Sequence, residues 1–264
     1  MILTAILTFL LLLFVVASLL VYLLQHKIIF APQYYNRRRL FKEYPERYIP
    51  LELEVERGVV LEGIVYEPEV EAKKTMLYFG GREQDSVTLI AKFSLHYPHV
   101  RIIAFNYRAY GKSGGEPSEW AFHGDALKVY DYVSTHYEVP LLLGYSLGSN
   151  VAAYIATQRQ PSALILVATF ESVQALARSK KTPVPKMLVR HRFETIHLMA
   201  HILIPFYMFV SEDDDFVPIK QPRKLKAAVR AGMLIDYKEF QGYNHAQLLF
   251  SEEVTKEIQE VLQK

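Results

Sequence analysis

The hydrophobic pattern divides the chain into two unequal parts. Residues 2–24 form one apolar run with no charged side chain, interrupted only by Thr4, Thr8, Ser18 and the Tyr22 hydroxyl. As a helix, this run of 23 residues would extend about 34 Å, enough to cross a hydrocarbon core of roughly 30 Å. A cleaved signal peptide would need a basic leading region, a shorter apolar stretch and a small-x-small site. Here Met1 is followed directly by apolar residues, so the pattern predicts a retained membrane-spanning helix over residues 1–25.

Beyond it the pattern shortens. Leu51, Leu53 and Val55 alternate with Glu52, Glu54 and Glu56, as in a half-buried antiparallel strand, and a second strand over 59–66 would pair with it across Arg57-Gly58. Apolar runs at 76–79, 102–105, 141–144, 164–167, 206–210 and 234–240 read as buried strands. Helical patterns at 85–97, 118–137, 147–158, 220–231 and 246–262 separate most of them. Strands joined through helices imply βαβ crossovers, hence an α/β domain with a mostly parallel central sheet and helices on both faces. This domain is expected to cover residues 48–264, with a short cap insertion over about 170–202 that carries Pro183 and Pro185. Residues 26–47, rich in basic and aromatic side chains, read as a linker.

Composition narrows the function classes. With 30 basic and 28 acidic residues the net charge is +2, which gives no reason to expect nucleic acid as a partner. The absence of cysteine excludes a disulfide framework, a thiolate metal site and a cysteine nucleophile. Charge is informative only locally. Lys27, Arg37, Arg38, Arg39 and Lys42 follow the apolar run before the first acid, Glu43, and the positive-inside tendency then puts the large domain on the cytoplasmic face. The same cations would also suit contact with anionic headgroups, or with the first strand.

Candidate chemistry centres on Gly144-Tyr145-Ser146-Leu147-Gly148, preceded by Leu141-Leu142-Leu143 and followed by a helix-forming stretch. This is G-x-S-x-G in the strand–turn–helix context that gives the pattern meaning. The turn lifts a serine hydroxyl to the C-terminal edge of a sheet, and the next helix aims its N-terminus at a developing oxyanion. A serine needs a histidine base, itself oriented by a carboxylate, in the chain order Ser, acid, His. Among nine histidines only His245 lies beyond the last expected strand and ahead of a final amphipathic helix. His191, His197 and His201 sit in the insertion and read as packing or surface residues, and His123 lies near a helix start with no carboxylate-bearing loop assigned to it. For the acid, Glu212, Asp213, Asp214 and Asp215 follow the strand at 206–210, and spacing alone does not choose among them.

Five stretches together resemble the compact membrane-linked α/β-hydrolases of the Bem46/YfhR-like (ABHD13/ABHD17-like) group: Leu77 to Gly81, Asn106 to Glu119, Gly144 to Gly148, Asp214 to Pro218, and Gly242 to His245. The resemblance implies an α/β-hydrolase fold and a Ser-His-Asp triad of Ser146, His245 and Asp214, the acid being selected by the D-x-x-V-P pattern. It also implies an oxyanion hole from the backbone amides of Leu147 and Arg82, with Gly81 as the alternative, and a structural role for Arg108. Three positions depart from the pattern: Ala109 and Ser211 stand where glycine is usual, and Arg82 replaces a small polar residue. The Arg82 side chain would then narrow the pocket or bind an anionic substrate group.

The expected activity is acyl transfer from an ester, thioester or amide, with no metal or organic cofactor. Expected partners are a small-molecule, acyl-lipid or acyl-protein substrate, and the bilayer through residues 2–24. One alternative is a serine aminopeptidase-like enzyme using Glu212, Asp213 or Asp215 to bind a free amine. Another is a catalytically silent binding module of the same fold.

Overall fold

A computed structural model describes residues 2–33, 45–72, 74–181 and 188–264. Most of the expected linker cations, Arg37 to Arg39 and Lys42, and the Pro183/Pro185 pair lie outside them.

Helix α1 (Ile2–Ile29) is long and apolar enough to cross a membrane, with a mean hydropathy of 2.9 over its most apolar window and none of that window buried. The strands are β1 (Tyr48–Glu56), β2 (Val59–Tyr66), β3 (Thr75–Phe79), β4 (Arg101–Phe105), β5 (Leu141–Tyr145), β6 (Leu164–Val167), β7 (Phe206–Ser211) and β8 (Leu234–Phe240). They form one eight-stranded sheet in the order β1-β2-β4-β3-β5-β6-β7-β8. β1, β2 and β4 pair antiparallel, and every other neighbouring pair is parallel. The Leu51, Leu53, Val55 alternation turns its apolar side toward the core while Glu52, Glu54 and Glu56 face solvent. β3, β5, β6 and β7 are buried along their whole length, as their continuous apolar runs require.

The helices are α2 (Ser86–His96), α3 (Glu119–His136), α4 (Leu147–Gln158), α5 (Val173–Ser179), α6 (Thr195–Leu198), α7 (Lys220–Ala228), α8 (His245–Leu248) and α9 (Glu252–Gln263). Two apolar cores flank the sheet. One joins α3 and α4 to it through Phe122, Val129, Val151 and Ile155. The other joins α2 and α9 through Ile90, Phe93, Val254 and Ile258. Burying each such side chain contributes about 1.5–3 kcal/mol, which is why the helical spacing of Val254, Ile258 and Val261 pins α9 to the sheet.

Two boundaries differ from the sequence pattern. The final helical segment, expected as one helix over 246–262, is split into α8 and α9, because Ser251 caps the N-terminus of α9 through Val254 N–H. The first helix does not stop near residue 25: α1 continues to Ile29, and its last turn is packed into the domain. Gln25, Ile29 and Phe30 are buried, and Ile29 and Phe30 belong to the same core as α3 and α4. Residues 26–33 are thus docked structure rather than a free connector. The Phe30 ring meets Phe122 edge-on at 5.1 Å and His191 at 4.9 Å.

Candidate active site

The turn between β5 and α4 holds Ser146 at φ 52° and ψ −117°, a left-handed φ that an L-residue adopts only under constraint from its surroundings. The flanking glycines explain how. A Cβ on Gly148 would lie 2.0 Å from the Phe79 carbonyl oxygen, and one on Gly144 would lie 2.5 Å from the Gly148 carbonyl oxygen. Ser146 N–H donates to the Val167 carbonyl at 2.9 Å, which fixes the turn to β6. The first amide of α4, that of Leu147, is one of the helix-terminal N–H groups without an intrahelical acceptor.

Three loops at the C-terminal ends of β5, β7 and β8 converge. The Ser146 Oγ lies 2.8 Å from His245 Nε2, and His245 Nδ1 lies 2.8 Å from Asp214 Oδ2. With a carboxylate beside Nδ1, the proton belongs on that nitrogen, leaving Nε2 free to accept from the serine hydroxyl. His245 is the first residue of α8, whose N-cap is Asn244 in a capping box with Gln247. The Asp214 side chain is 2% exposed, and its Oδ1 accepts from the Phe216 and Val217 amides at 2.8 and 2.7 Å. Those bonds hold the carboxylate so that Oδ2 is presented to the imidazole.

The other acids of the cluster have separate partners. Asp213 Oδ2 accepts from Gly242 N–H at 2.7 Å, tying the β7 turn to the β8 loop. Asp215 Oδ1 accepts from the His245 backbone N–H at 3.0 Å, and this bond holds its carboxyl below the usual range. Glu212 accepts from Arg223 and Gln241. Ser211, at a position where glycine resembles the family norm, donates from Oγ to the Tyr243 carbonyl at 2.5 Å and accepts from Asp213 N–H at 3.1 Å. It therefore stitches together the acid turn and the histidine loop.

The cleft above Ser146 has a volume of about 390 Å³, bounded by Arg82, Glu83, Tyr145, Asp215, Phe216 and Ala246 among others. This lies within the usual range for small-molecule sites. The Arg82 side chain lines the cleft and is already engaged. Nη1 donates to the Ile28 carbonyl at 2.5 Å, Nη2 pairs with Glu83, and the guanidinium lies 5.5 Å from the Phe216 ring centroid. The side chain is engaged with α1 and its neighbour rather than free for an anion. Gly81, the alternative oxyanion donor, has its amide occupied by Gln84 Oε1 at 2.7 Å. Its Cα nevertheless faces the site closely, since a Cβ there would lie 3.2 Å from the Tyr145 ring and 3.4 Å from Ser146 Cβ.

Arg108 makes a two-point pair with Asp125, at 2.7 and 2.8 Å, and a further bond to Glu56. It braces the loop after β4 against α3 and stays outside the cleft. His123 bonds Asn150 at 2.8 Å and stacks on Tyr154, and burial lowers its basicity. His191 packs on Phe30, and His197 approaches Glu194 at 3.9 Å.

Sequence reasoning overlooked two side chains at the site. Tyr145 donates from its hydroxyl to the His245 carbonyl at 2.7 Å, and burial pushes its phenol well up. Gln84 accepts from both Gly81 N–H and the Tyr78 hydroxyl, the latter at 2.5 Å. The signal for Tyr145 lies in its place inside the elbow motif, between Gly144 and Ser146.

Comparison with known proteins agrees with this architecture. An uncharacterized protein of Mycobacterium tuberculosis is 31% identical over 141 residues, covering 51% of this chain and 50% of that protein. The lysophosphatidylserine lipase ABHD12 of Mus musculus is 29% identical over 192 residues, covering 62% of this chain and 48% of the lipase. The chain spans about half the length of the curated relatives it matches. Among solved structures, the Pyrococcus furiosus esterase Pf2001 superposes with a TM-score of 0.68 over 89% of this chain and 95% of its own, at 17% identity. The esterase domain of a Rhodothermus marinus protein superposes with a TM-score of 0.59 over 81% and 96%, at 20% identity. No family model matches the chain.

Proposed function

We propose that this chain is an α/β-hydrolase, a membrane-anchored serine hydrolase that cleaves an ester, thioester or amide through an acyl-enzyme. The observation that carries the reading is the unbroken line of hydrogen bonds Asp214–His245–Ser146, each at 2.8 Å, at the floor of an open cleft. Ser146 Oγ attacks the substrate carbonyl as His245 Nε2 takes its proton. Asp214 keeps the proton on Nδ1 and stabilises the imidazolium that forms. The oxyanion is held by the Leu147 and Arg82 amides, at the N-terminal end of α4 and in the loop after β3. The imidazolium then protonates the leaving group, and water, deprotonated by the same nitrogen, releases the acid.

Lipid or acylated substrates are favoured by two things: the apolar helix that ends beside the cleft, and a relative whose name is a lipase. The aminopeptidase alternative would need carboxylates at the cleft to bind a free amine. Of its acids, Asp213 is bonded to Gly242 N–H and Glu212 to Arg223 and Gln241, and neither lines the cleft; Asp215 lines it and has one oxygen bonded to the His245 amide. In this reading α1 crosses the bilayer with the domain on the cytoplasmic side, and protease added to intact cells should spare it; degradation there would reverse the orientation. The chemistry is tested by labelling with a fluorophosphonate probe, which should attach to Ser146 and to no site in a Ser146→Ala variant. Failure of the folded protein to label would remove the reading.

A further inference from the structure

The end of α1 is gripped by the domain, and that grip fixes the depth at which the domain must sit. Gln25 is buried; its side-chain amide donates to the Leu188 carbonyl at 2.9 Å and its Oε1 accepts from Arg190 N–H at 2.8 Å. The segment that Gln25 holds carries Arg190 and Arg192, both exposed, and charged side chains are costly in hydrocarbon, so an α1 span ends near Tyr22, short of that contact. The following turn then lies at headgroup depth.

The protein surface around that turn has the composition of an interfacial belt. The Arg190 guanidinium lies 5.3 Å from the Tyr22 ring centroid, and Lys27 is exposed on the helix itself. His26 Nε2 bonds the Pro117 carbonyl at 3.0 Å, which brings the start of α3 against the same turn. Glu119 in that first turn accepts from the Arg192 and Phe193 amides at 2.6 and 2.8 Å, locking α3 to the segment that follows Arg190. Beside it stands Trp120, the chain's one tryptophan, 86% exposed. A helical side chain leans toward its own N-terminus, and here that end of α3 abuts α1. An indole left in water forgoes a large apolar burial, whereas the bilayer interface accepts both its ring and its N–H.

We propose that the globular domain itself binds the membrane. Trp120, Arg190 and Arg192 form, with Tyr22 and Lys27 of α1, a collar seated in the headgroup layer of the bilayer. This rests on the reading of α1 as a membrane span and goes beyond it, since a span on a flexible tether would leave Trp120 in water. The collar also sets the height of the cleft. Arg82, on the cleft wall, is bonded to the Ile28 carbonyl, six residues and so about 9 Å of helix beyond Tyr22. An amphiphile in the leaflet would therefore reach Ser146 while its tail remained in the bilayer.

Because Trp120 is the only indole, its fluorescence reports on this contact alone. The full chain is reconstituted into phosphatidylcholine–phosphatidylserine vesicles with no label, with a spin label on the acyl chain near the headgroup, or with one near the chain end. Retention in the vesicles is checked in parallel by alkaline wash. The expected result is loss of most of the emission with the shallow label and a smaller loss with the deep one, in protein that withstands the wash. Equal emission in all three vesicles, from protein that withstands the wash, would overturn the collar while leaving the anchor intact. Stronger quenching by the deep label would overturn the headgroup depth. Release by the wash would bring down the anchor and the collar together.

Discussion

The Tyr110 hydroxyl donates to the Arg82 carbonyl at 2.7 Å and accepts from Ala31 N–H at 3.2 Å. One buried phenol thus connects the segment after α1 to the loop that carries the Arg82 amide. If that loop supplies an oxyanion donor, Tyr110 positions it through the peptide on the far side of the same residue. Tyr110→Phe keeps the ring in the core and removes both bonds. It is expected to lower kcat about tenfold, corresponding to about 1.4 kcal/mol, with little change in KM. A change confined to KM in steady-state assays would show that the loop does not sense Tyr110.

The four consecutive acids should separate sharply in activity. Asp214→Asn is expected to lower kcat by about 10⁴, because an amide beside Nδ1 supports the wrong imidazole tautomer. Asp213→Asn and Asp215→Asn each weaken one bond to a backbone amide and should cost less than about tenfold. Assays of the three variants at neutral pH check this ordering, and a larger loss at Asp213 or Asp215 would refute it.

Ala109 adopts φ 65°, a left-handed conformation at a position where the resembled family has glycine. The Cβ costs roughly 1–2 kcal/mol there, partly offset by the smaller backbone entropy that alanine loses on folding. Ala109→Gly should therefore raise stability by up to about 1 kcal/mol with activity unchanged. Denaturant unfolding in detergent measures the shift, and a loss of stability would contradict it.

Burial, then Arg190 and His26, lower the His191 imidazole to a pKa of about 4 from its usual 6.5. The unfolded chain therefore binds this proton first as pH falls. Its contribution to folding is complete above 6.5 and lost progressively toward about 4. His191 accepts from Glu119 N–H through Nδ1 at 3.3 Å and packs on Phe30, so protonation also loosens the α1 docking. His191→Gln should flatten the pH dependence of unfolding in that window. An unchanged slope would assign the acid sensitivity elsewhere.

Much of this architecture was legible because burial on both faces writes continuous apolar runs into β3, β5, β6 and β7. Ser146 was legible for a steric reason: the elbow tolerates no Cβ at Gly144 or Gly148. The acids at 212–215 were not separable by spacing, since what distinguishes them is the tertiary partner each carboxylate meets: side chains for Glu212, the His245 imidazole for Asp214, and backbone amides of the β8 loop and α8 for Asp213 and Asp215. The extent of α1 was hidden for another reason. Ile29 and Phe30 are as apolar as the span before them, and only tertiary contact distinguishes docking in the domain from burial in lipid. The direction of Arg82 was equally unreadable, because its partner is a main-chain carbonyl of that docked turn.

The central claim is that Ser146, activated by His245, forms an acyl-enzyme. It is tested most directly by ester turnover of purified, folded Ser146→Ala beside the unaltered protein. The account predicts a fall in kcat of several orders of magnitude, about 10⁶, with the unfolding transition preserved. Near-normal turnover by the folded variant would contradict it.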